Sequence, residues 1–410
     1  VIKSLRKATA GAEEDTVSDR RIRVMRVIAR MNVGGPALQV TGLMRGLDTE
    51  LFDHRVYCGH VGPGEADHME LRARDLNVLR VPTLGRSVRP VDDVRALAGL
   101  AAEMRRFRPH IVHTHTAKAG ALGRMAAVLT GVPARVHTFH GHPLDGCFSA
   151  SKTRLIVQAE RVLARFTQDL VAVGGKVRDD LVKAGVGRPG QYHVVPPGTD
   201  LGPLPDQEAA RHGLGLPADV PVVAFVGRIT GVKRPDRFVA VAQAVRRQLP
   251  DVRFLVCGDG DLLSELTAAS RDLDGSLHLL GWRSDVETVY AAADLVLLTS
   301  DNEGMPISLI EAGLAGLPAV ATRVGGVPEV IQDGVTGLLA NAQPGELAAH
   351  TIRLLREDRL RLRMGRHAKA WTTERFSADR LVADIRDLYA SIAVNRGWWP
   401  ASMLERKESR

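Results

Sequence analysis

Twice along the chain, short β-branched runs alternate with longer amphipathic stretches, and a proline- and glycine-rich gap separates the two series. The first series reads "RVMRVIA", "HRVYCGHV", "NVLRVP", "HIVHTHT", "ARVHTFH", "DLVAVG" and "YHVVPPG", with helical patterns between, for example over Val91 to Phe107 and Lys118 to Thr130. Strands that alternate with helices predict a parallel sheet covered on both faces. The rhythm lapses around Pro196 to Pro217 and restarts with "VPVVAFVGR". Strand candidates follow at Val222 to Gly227, Val252 to Cys257, Leu277 to Leu280, Leu295 to Thr299 and Ala319 to Thr322, then a short "TGLLA".

The expected class is α/β, with two doubly wound domains over residues 21–200 and 218–375 joined by a linker at 201–217. Residues 1–20 lack an apolar pattern and read as a disordered leader. Residues 376–410 read as a C-terminal helix and charged tail, with a return to the first domain as one option. A length of 410 residues suits two domains of about 200 each. In such sheets ligands bind beyond the carboxyl ends of the strands, so two facing mouths would form a cleft.

No uncharged apolar run is long enough to span a bilayer, and the first apolar stretch, Val24 to Ala29, is too short and interrupted for a secretory core. Three cysteines, Cys58, Cys147 and Cys257, have no metal-ligand spacing and suit a reducing compartment, so the cytoplasm is expected. Cys58 and Cys257 close apolar runs and read as core. The net charge of +8 fits nucleic acid, anionic lipid or a phosphate-bearing ligand. No aromatic residues alternate with the arginines as a stacking groove requires, which argues against nucleic acid.

Every chemical motif falls at a strand mouth. In "FVGRITGVKRP" Arg228 and Lys233 stand five apart across a loop before a helix, a good anion site because a helix N-terminus adds N–H groups and positive dipole. "VCGDGD" and "MNVGGPALQ" are glycine turns, the latter with Gly34 and Gly35. Neither supplies G-x-G-x-x-G and no Walker pattern is present, which weakens dehydrogenase and P-loop readings.

"EGMPISLIE" is the most specific stretch. Pro306 fits a first helical turn, which leaves Glu303 in the turn and puts Glu311 inside the helix, about 8 Å further along its axis. That separation suits two acceptors gripping parts of one elongated ligand, such as the hydroxyls of a sugar and a ribose. Apolar neighbours Leu309, Ile310, Ala312 and Leu314 argue that Glu311 is not a surface residue. In "VGGVPEVIQDGVTGLL" Glu329 is expected to cap or solvate its own first turn.

His113, His115, His137, His140 and His142 gather at strand ends of the first half. Their i, i+2 spacing fits strand alternation better than zinc ligation. His140, beside Gly141, reads either as a neutral donor to a sugar hydroxyl or as a packed core histidine.

Taken together, "FVGRITGVKRP", "EGMPISLIE" and "VGGVPEVIQDGVTGLL" resemble the donor-binding half of glycosyltransferase family 4, retaining enzymes of GT-B fold. "MNVGGPALQ", "VHTHTAKAGALGR", "VHTFHGH" and "VPPGTD" resemble its first domain, so the likeness spans roughly residues 22 to 390. It implies two Rossmann-like domains facing across a cleft, and a retaining transferase resembling bacterial polysaccharide and glycolipid enzymes. A nucleotide-diphosphate-sugar would be co-substrate, with no cofactor and no essential metal.

By the same resemblance Arg228 and Lys233 would bind the diphosphate, Glu303 the donor sugar and Glu311 the ribose. The amides of Gly304, Met305 and Ile307 would line sugar and phosphates, Gly34 and Gly35 would approach from the other domain, and His140 would touch the sugar. The base would lie near Trp282 and Arg283. The acceptor would be a glycan or lipid-linked, with peripheral contact at the inner face of an anionic membrane. Two departures stand out: Arg234 follows Lys233 where many members have glycine, and "DGCFS" after the histidine cluster falls in a region that varies among members and would face the acceptor. Rival readings are a sugar-nucleotide epimerase of similar fold and a non-catalytic nucleotide-sugar-binding protein. Trp398 and Trp399 could anchor in a membrane or pack on the first domain.

Overall fold

The computed structural model describes residues 21–62, 66–85, 87–141, 150–273 and 275–405. The expected leader, His142, Cys147 and "DGCFS" lie outside them.

Seven strands form the first sheet: β1 (Ile22–Arg30), β2 (Phe52–Gly59), β3 (Val78–Arg80), β4 (Ile111–His115), β5 (Ala134–Phe139), β6 (Asp169–Ala172) and β7 (Tyr192–Val194). The second sheet has six: β8 (Val222–Val226), β9 (Arg253–Cys257), β10 (Leu277–Gly281), β11 (Leu295–Leu298), β12 (Ala319–Thr322) and β13 (Gly337–Ala340). The orders are β3-β2-β1-β4-β5-β6-β7 and β10-β9-β8-β11-β12-β13, with every strand pair parallel. Helices on both faces explain the continuous apolar strands: Val24, Val27 and Ile28 of β1 and Val222, Val223 and Ala224 of β8 are wholly buried. Strand order reverses between β1 and β4 and between β8 and β11, where two diverging connections leave a crevice.

Within the stretch read as a linker, the chain forms a helix, Gln207–Gly213. Asp206 caps it, its carboxylate accepting from the amides of Glu208 and Ala209 at 3.0 and 3.4 Å. Arg211 fixes it to the second domain through Ala292 O and Asp294, each at 3.0 Å. Flanking prolines and glycines hide so short a helix from pattern reading.

Beyond Gly345 the described residues are largely helical. Helices Pro344–Arg356 and Asp358–Phe376 cover the second domain. Ser377 then breaks the chain direction and caps Ala378–Asn395, its hydroxyl accepting from Arg380 N at 3.4 Å. That last long helix crosses to the first domain. Leu381, Ile385, Leu388 and Tyr389 join Ile22, Val24, Leu43 and Phe52 in one core. Trp399 is buried against Phe52 with ring centroids 5.4 Å apart, and Trp398 meets His110 at 5.0 Å. Both rings therefore pack on the first domain rather than serving as an anchor. Cys58 and Cys257 are buried free thiols. Among the described residues no helix is long and apolar enough to cross a membrane.

Candidate active site

At the mouth of the second sheet, β8 runs into Gly227 and Arg228, then a 3-10 turn, Gly231–Lys233. Arg234 follows in the left-handed conformation, φ 53° and ψ 61°, which favours glycine. Its guanidinium pairs with Asp236 and Asp301 at 2.7 and 3.0 Å, so ion pairs hold a turn that a glycine would adopt freely. The departure at this position thus leaves a glycine-like backbone in place.

Lys233 and Glu303 meet here. Lys233 Nζ donates to Glu303 Oε1 at 2.6 Å, and Ser300 Oγ donates to the same oxygen at 2.5 Å. Thr299 joins the two loops by donating its hydroxyl to Lys233 O at 2.9 Å. Arg228 is exposed and makes no ion pair among the described residues. One cation is therefore tied to a carboxylate while the other is free to meet a ligand.

Pro306 differs in detail from its expected place. It is the N-cap, with ψ 106°, and Ile307 is the first residue of the helix Ile307–Leu314. Its carbonyl still opens the helical ladder, accepting from Leu309 and Ile310 at 3.1 and 3.3 Å. The amide of Ile307 precedes that ladder and so has no intrahelical acceptor. Gly325 and Gly326 brace the turn from behind. A Cβ on Gly325 would stand 1.9 Å from Glu303 O, and one on Gly326 would stand 1.8 Å from Gly304 O. No other residue fits at that approach.

Glu311 is buried, and Tyr290 donates its hydroxyl to Oε2 at 2.8 Å. Burial pushes the carboxyl up to about 7, against the smaller opposing effect of that hydrogen bond. Tyr290 belongs to the helix Val286–Ala292, which begins just after Trp282 and Arg283 on the loop beyond β10. Trp282 is half-buried, and Arg283 is held by Asp285 at 2.5 Å.

The first domain brings its own loops to this surface. Gly35 opens the helix Gly35–Gly46 after β1, and a Cβ there would lie 3.1 Å from Ile307 Cγ1. Gly34 precedes it, with nothing within 4 Å of where a Cβ would stand. A Cβ on Gly304 would lie 2.6 Å from His140 O and 2.8 Å from Gly141 Cα, so these two loops touch backbone to backbone.

The histidines form a connected series. His113 and His115 share one face of β4 and stack at 4.4 Å. His113 contacts Tyr389 Oη at 2.6 Å and Thr138 Oγ1 at 2.7 Å, and His137 contacts Thr114 Oγ1 at 2.8 Å. Burial holds all three imidazoles well below the usual range, hence neutral, as core residues. His140 is half-buried at the mouth, its Nε2 3.0 Å from His115 Nδ1, and burial lowers it to about 4. Among the described residues no group of three or more His, Cys, Asp or Glu is arranged to hold a metal ion.

Glu329 departs from expectation. Rather than capping its own helix, Val327–Val330, its carboxylate crosses the cleft and accepts from the amides of Gly175 and Lys176 at 2.7 and 2.9 Å.

The geometry thus joins Lys233 to Glu303, Gly304 to His140 and Gly35 to Ile307. Arg228, Gly34, Trp282 and Arg283 stand on the loops beyond β8, β1 and β10. Sequence reading missed Ser300 and Tyr290: Ser300 lies in the polar run after β11 and Tyr290 within the helix Val286–Ala292, and nothing local marks either as a partner of a glutamate.

Two family models match: "Glycosyl transferase 4-like domain" over residues 34–198 and "Glycosyl transferases group 1" over residues 206–371. Similar curated proteins include the UDP-Gal:alpha-D-GlcNAc-diphosphoundecaprenol alpha-1,3-galactosyltransferase of Escherichia coli, 29% identical over 359 residues, covering 85% of this chain and 92% of the relative. The D-inositol 3-phosphate glycosyltransferase of Xylanimonas cellulosilytica is 33% identical over 313 residues, 70% of this chain and 73% of the relative. Among solved structures, Anabaena Alr3699/HepE in complex with UDP and glucose has a TM-score of 0.78 at 21% identity, over 90% of this chain and all of that one. This likeness shows the GT-B fold.

Proposed function

This chain belongs to the glycosyl transferase group 1 family, and on that premise we propose that it moves a hexose from a nucleoside diphosphate sugar to a hydroxyl of a glycan or lipid-linked acceptor, with retention and without an essential metal. The observation that carries the reading is the Lys233–Glu303 pair at the β8/β11 mouth, with exposed Arg228 on the loop after β8 and buried Glu311 in the helix Ile307–Leu314. Uridine diphosphate donors are favoured, because the Escherichia coli relative is named for UDP-Gal and the Anabaena neighbour is in complex with UDP.

When a diphosphate enters, Arg228 and Lys233 neutralise it, and Glu303 exchanges the ammonium for sugar hydroxyls. Glu311 accepts from the ribose, with Tyr290 holding its carboxylate in place. The sugar–oxygen bond breaks toward the diphosphate, whose departing oxygen takes the proton of the acceptor hydroxyl as that hydroxyl bonds the anomeric carbon on the same face. Stabilising the departing charge would be the largest contribution. Neutral His140 offers a hydrogen bond to the sugar without adding charge.

Peripheral membrane contact at the inner face is part of the reading. Leu155, Val162 and Phe166 of the helix Ala150–Arg165 and its end are exposed beside Arg154 and Arg165, which suits an anionic surface. The relative with a diphosphoundecaprenol acceptor supports a lipid-linked substrate. Incubation with UDP-sugars and lipid diphosphate acceptors in the presence of a chelator tests the whole reading. An α-linked product from an α-linked donor supports it. Donor isomerised without acceptor, or no turnover with any pair, would sink it.

A further inference from the structure

The helix Gly175–Lys183 of the first domain has Gly174 at its N-cap, a residue with no side chain to serve the orphan amides of the first turn. Glu329 of the second domain supplies that cap from 154 residues away, one carboxylate oxygen to each of Gly175 N and Lys176 N. The side chain of Lys176 is itself taken up by Asp180, so its amide is what meets Glu329. Charge and dipole agree, since an anion is favoured at a helix N-terminus. Glu329 also rides on the unit that carries Glu303: Gly326 N donates to Glu303 O at 2.9 Å. Whatever seats Glu329 therefore seats Glu303 and Gly304 against His140 and Gly141.

We propose that Glu329 is a positioning residue for the transfer reaction: its carboxylate latches the second domain onto the Gly175–Lys183 helix and sets how much of the chain has a closed, assembled cleft. The kinetic consequence rests on the glycosyl-transfer reading, but closure itself is measurable without substrate, so the two can fail separately.

Two variants attack the latch from opposite sides. Glu329→Gln keeps the shape but turns an NH2 toward one of the two donors. Gly174→Ala leaves Glu329 intact. Its added Cβ would stand 2.8 Å from Glu329 Oε1 and 3.0 Å from Met305 Cε, so the three nearest obstacles all belong to the second domain. The backbone at Gly174, φ −163°, is extended and accepts alanine, so the first domain should fold normally.

Hydrogen exchange over residues 174–178 and small-angle scattering of the ligand-free chain read the outcome. Both variants should exchange about tenfold faster there and scatter as a more open particle, with the double variant no more open than either single one. Sugar-nucleotide KM should rise roughly as the closed population falls, with kcat less affected. Wild-type exchange and scattering in the two single variants would overturn the proposal, as would a change in the Gln variant alone.

Discussion

Lys233 Nζ and Glu303 Oε1, seventy residues apart in sequence, lie 2.6 Å from each other at the carboxyl ends of neighbouring strands β8 and β11. Both side chains are mostly sheltered, at 17% and 10% exposure, so each is the other's chief electrostatic partner before ligand arrives. A diphosphate would take the ammonium and free the carboxylate, which ties anion binding to sugar binding in one exchange.

Lys233→Ala removes the ammonium from the leaving group and also leaves Glu303 with Ser300 as its remaining donor. Loss of a preorganised charge of this kind should lower kcat/KM by roughly 10²–10³. Steady-state transfer kinetics check it, with circular dichroism to show that the variant is folded.

Glu311 should make stability and donor binding depend on pH. Its carboxyl is raised from 4.5 to about 7, so between those values the unfolded chain is ionised while the folded one stays protonated. Stability from this group is full below 4.5 and is lost as pH rises through about 7. Denaturant unfolding should therefore show wild type losing ground to Glu311→Gln across that window and no further above it. Ribose hydroxyls prefer the carboxylate, so donor binding near neutrality should release protons, measured by calorimetry in buffers of different ionisation enthalpy. Glu311→Gln should release fewer and bind more weakly.

Arg234 offers a clean backbone test. Arg234→Gly and Arg234→Ala both delete the guanidinium, but only glycine is at ease at φ 53°. The glycine variant should be more stable than the alanine variant by about 1 kcal/mol, read from denaturation midpoints. Equal stability would mean that the turn is not held left-handed in solution.

Gly326→Ala should be far more damaging than its size suggests. The new Cβ would fall 1.8 Å from Gly304 O, a backbone atom that cannot swing away. The Glu303 turn must shift, so transfer should drop at least about tenfold with a smaller loss of thermal stability. Activity and melting temperature measured on one preparation separate the two effects.

Much of this was readable from the sequence because the strand period is short and local. Both sheets and the glycine turns follow from residues within a few positions of each other, and Glu303 and Glu311 stand out by spacing alone. What stayed hidden is non-local. Nothing near Glu329 points to Gly175, nothing near Tyr290 to Glu311, and Trp399 gives no sign of Phe52 until the last helix crosses between domains. The left-handed turn at Arg234 was concealed for another reason, since its ion pairs hold a conformation that its side chain disfavours.

The central claim is that this cleft grips a nucleoside diphosphate through Arg228 and Lys233. Titrating uridine diphosphate into wild type, Arg228→Ala and Lys233→Ala by calorimetry tests it most directly. The account predicts saturable binding that weakens about tenfold or more in each variant, as expected when a charged hydrogen bond worth roughly 1.5–3 kcal/mol is removed. Equal affinity in all three proteins, or no binding to wild type, would contradict it.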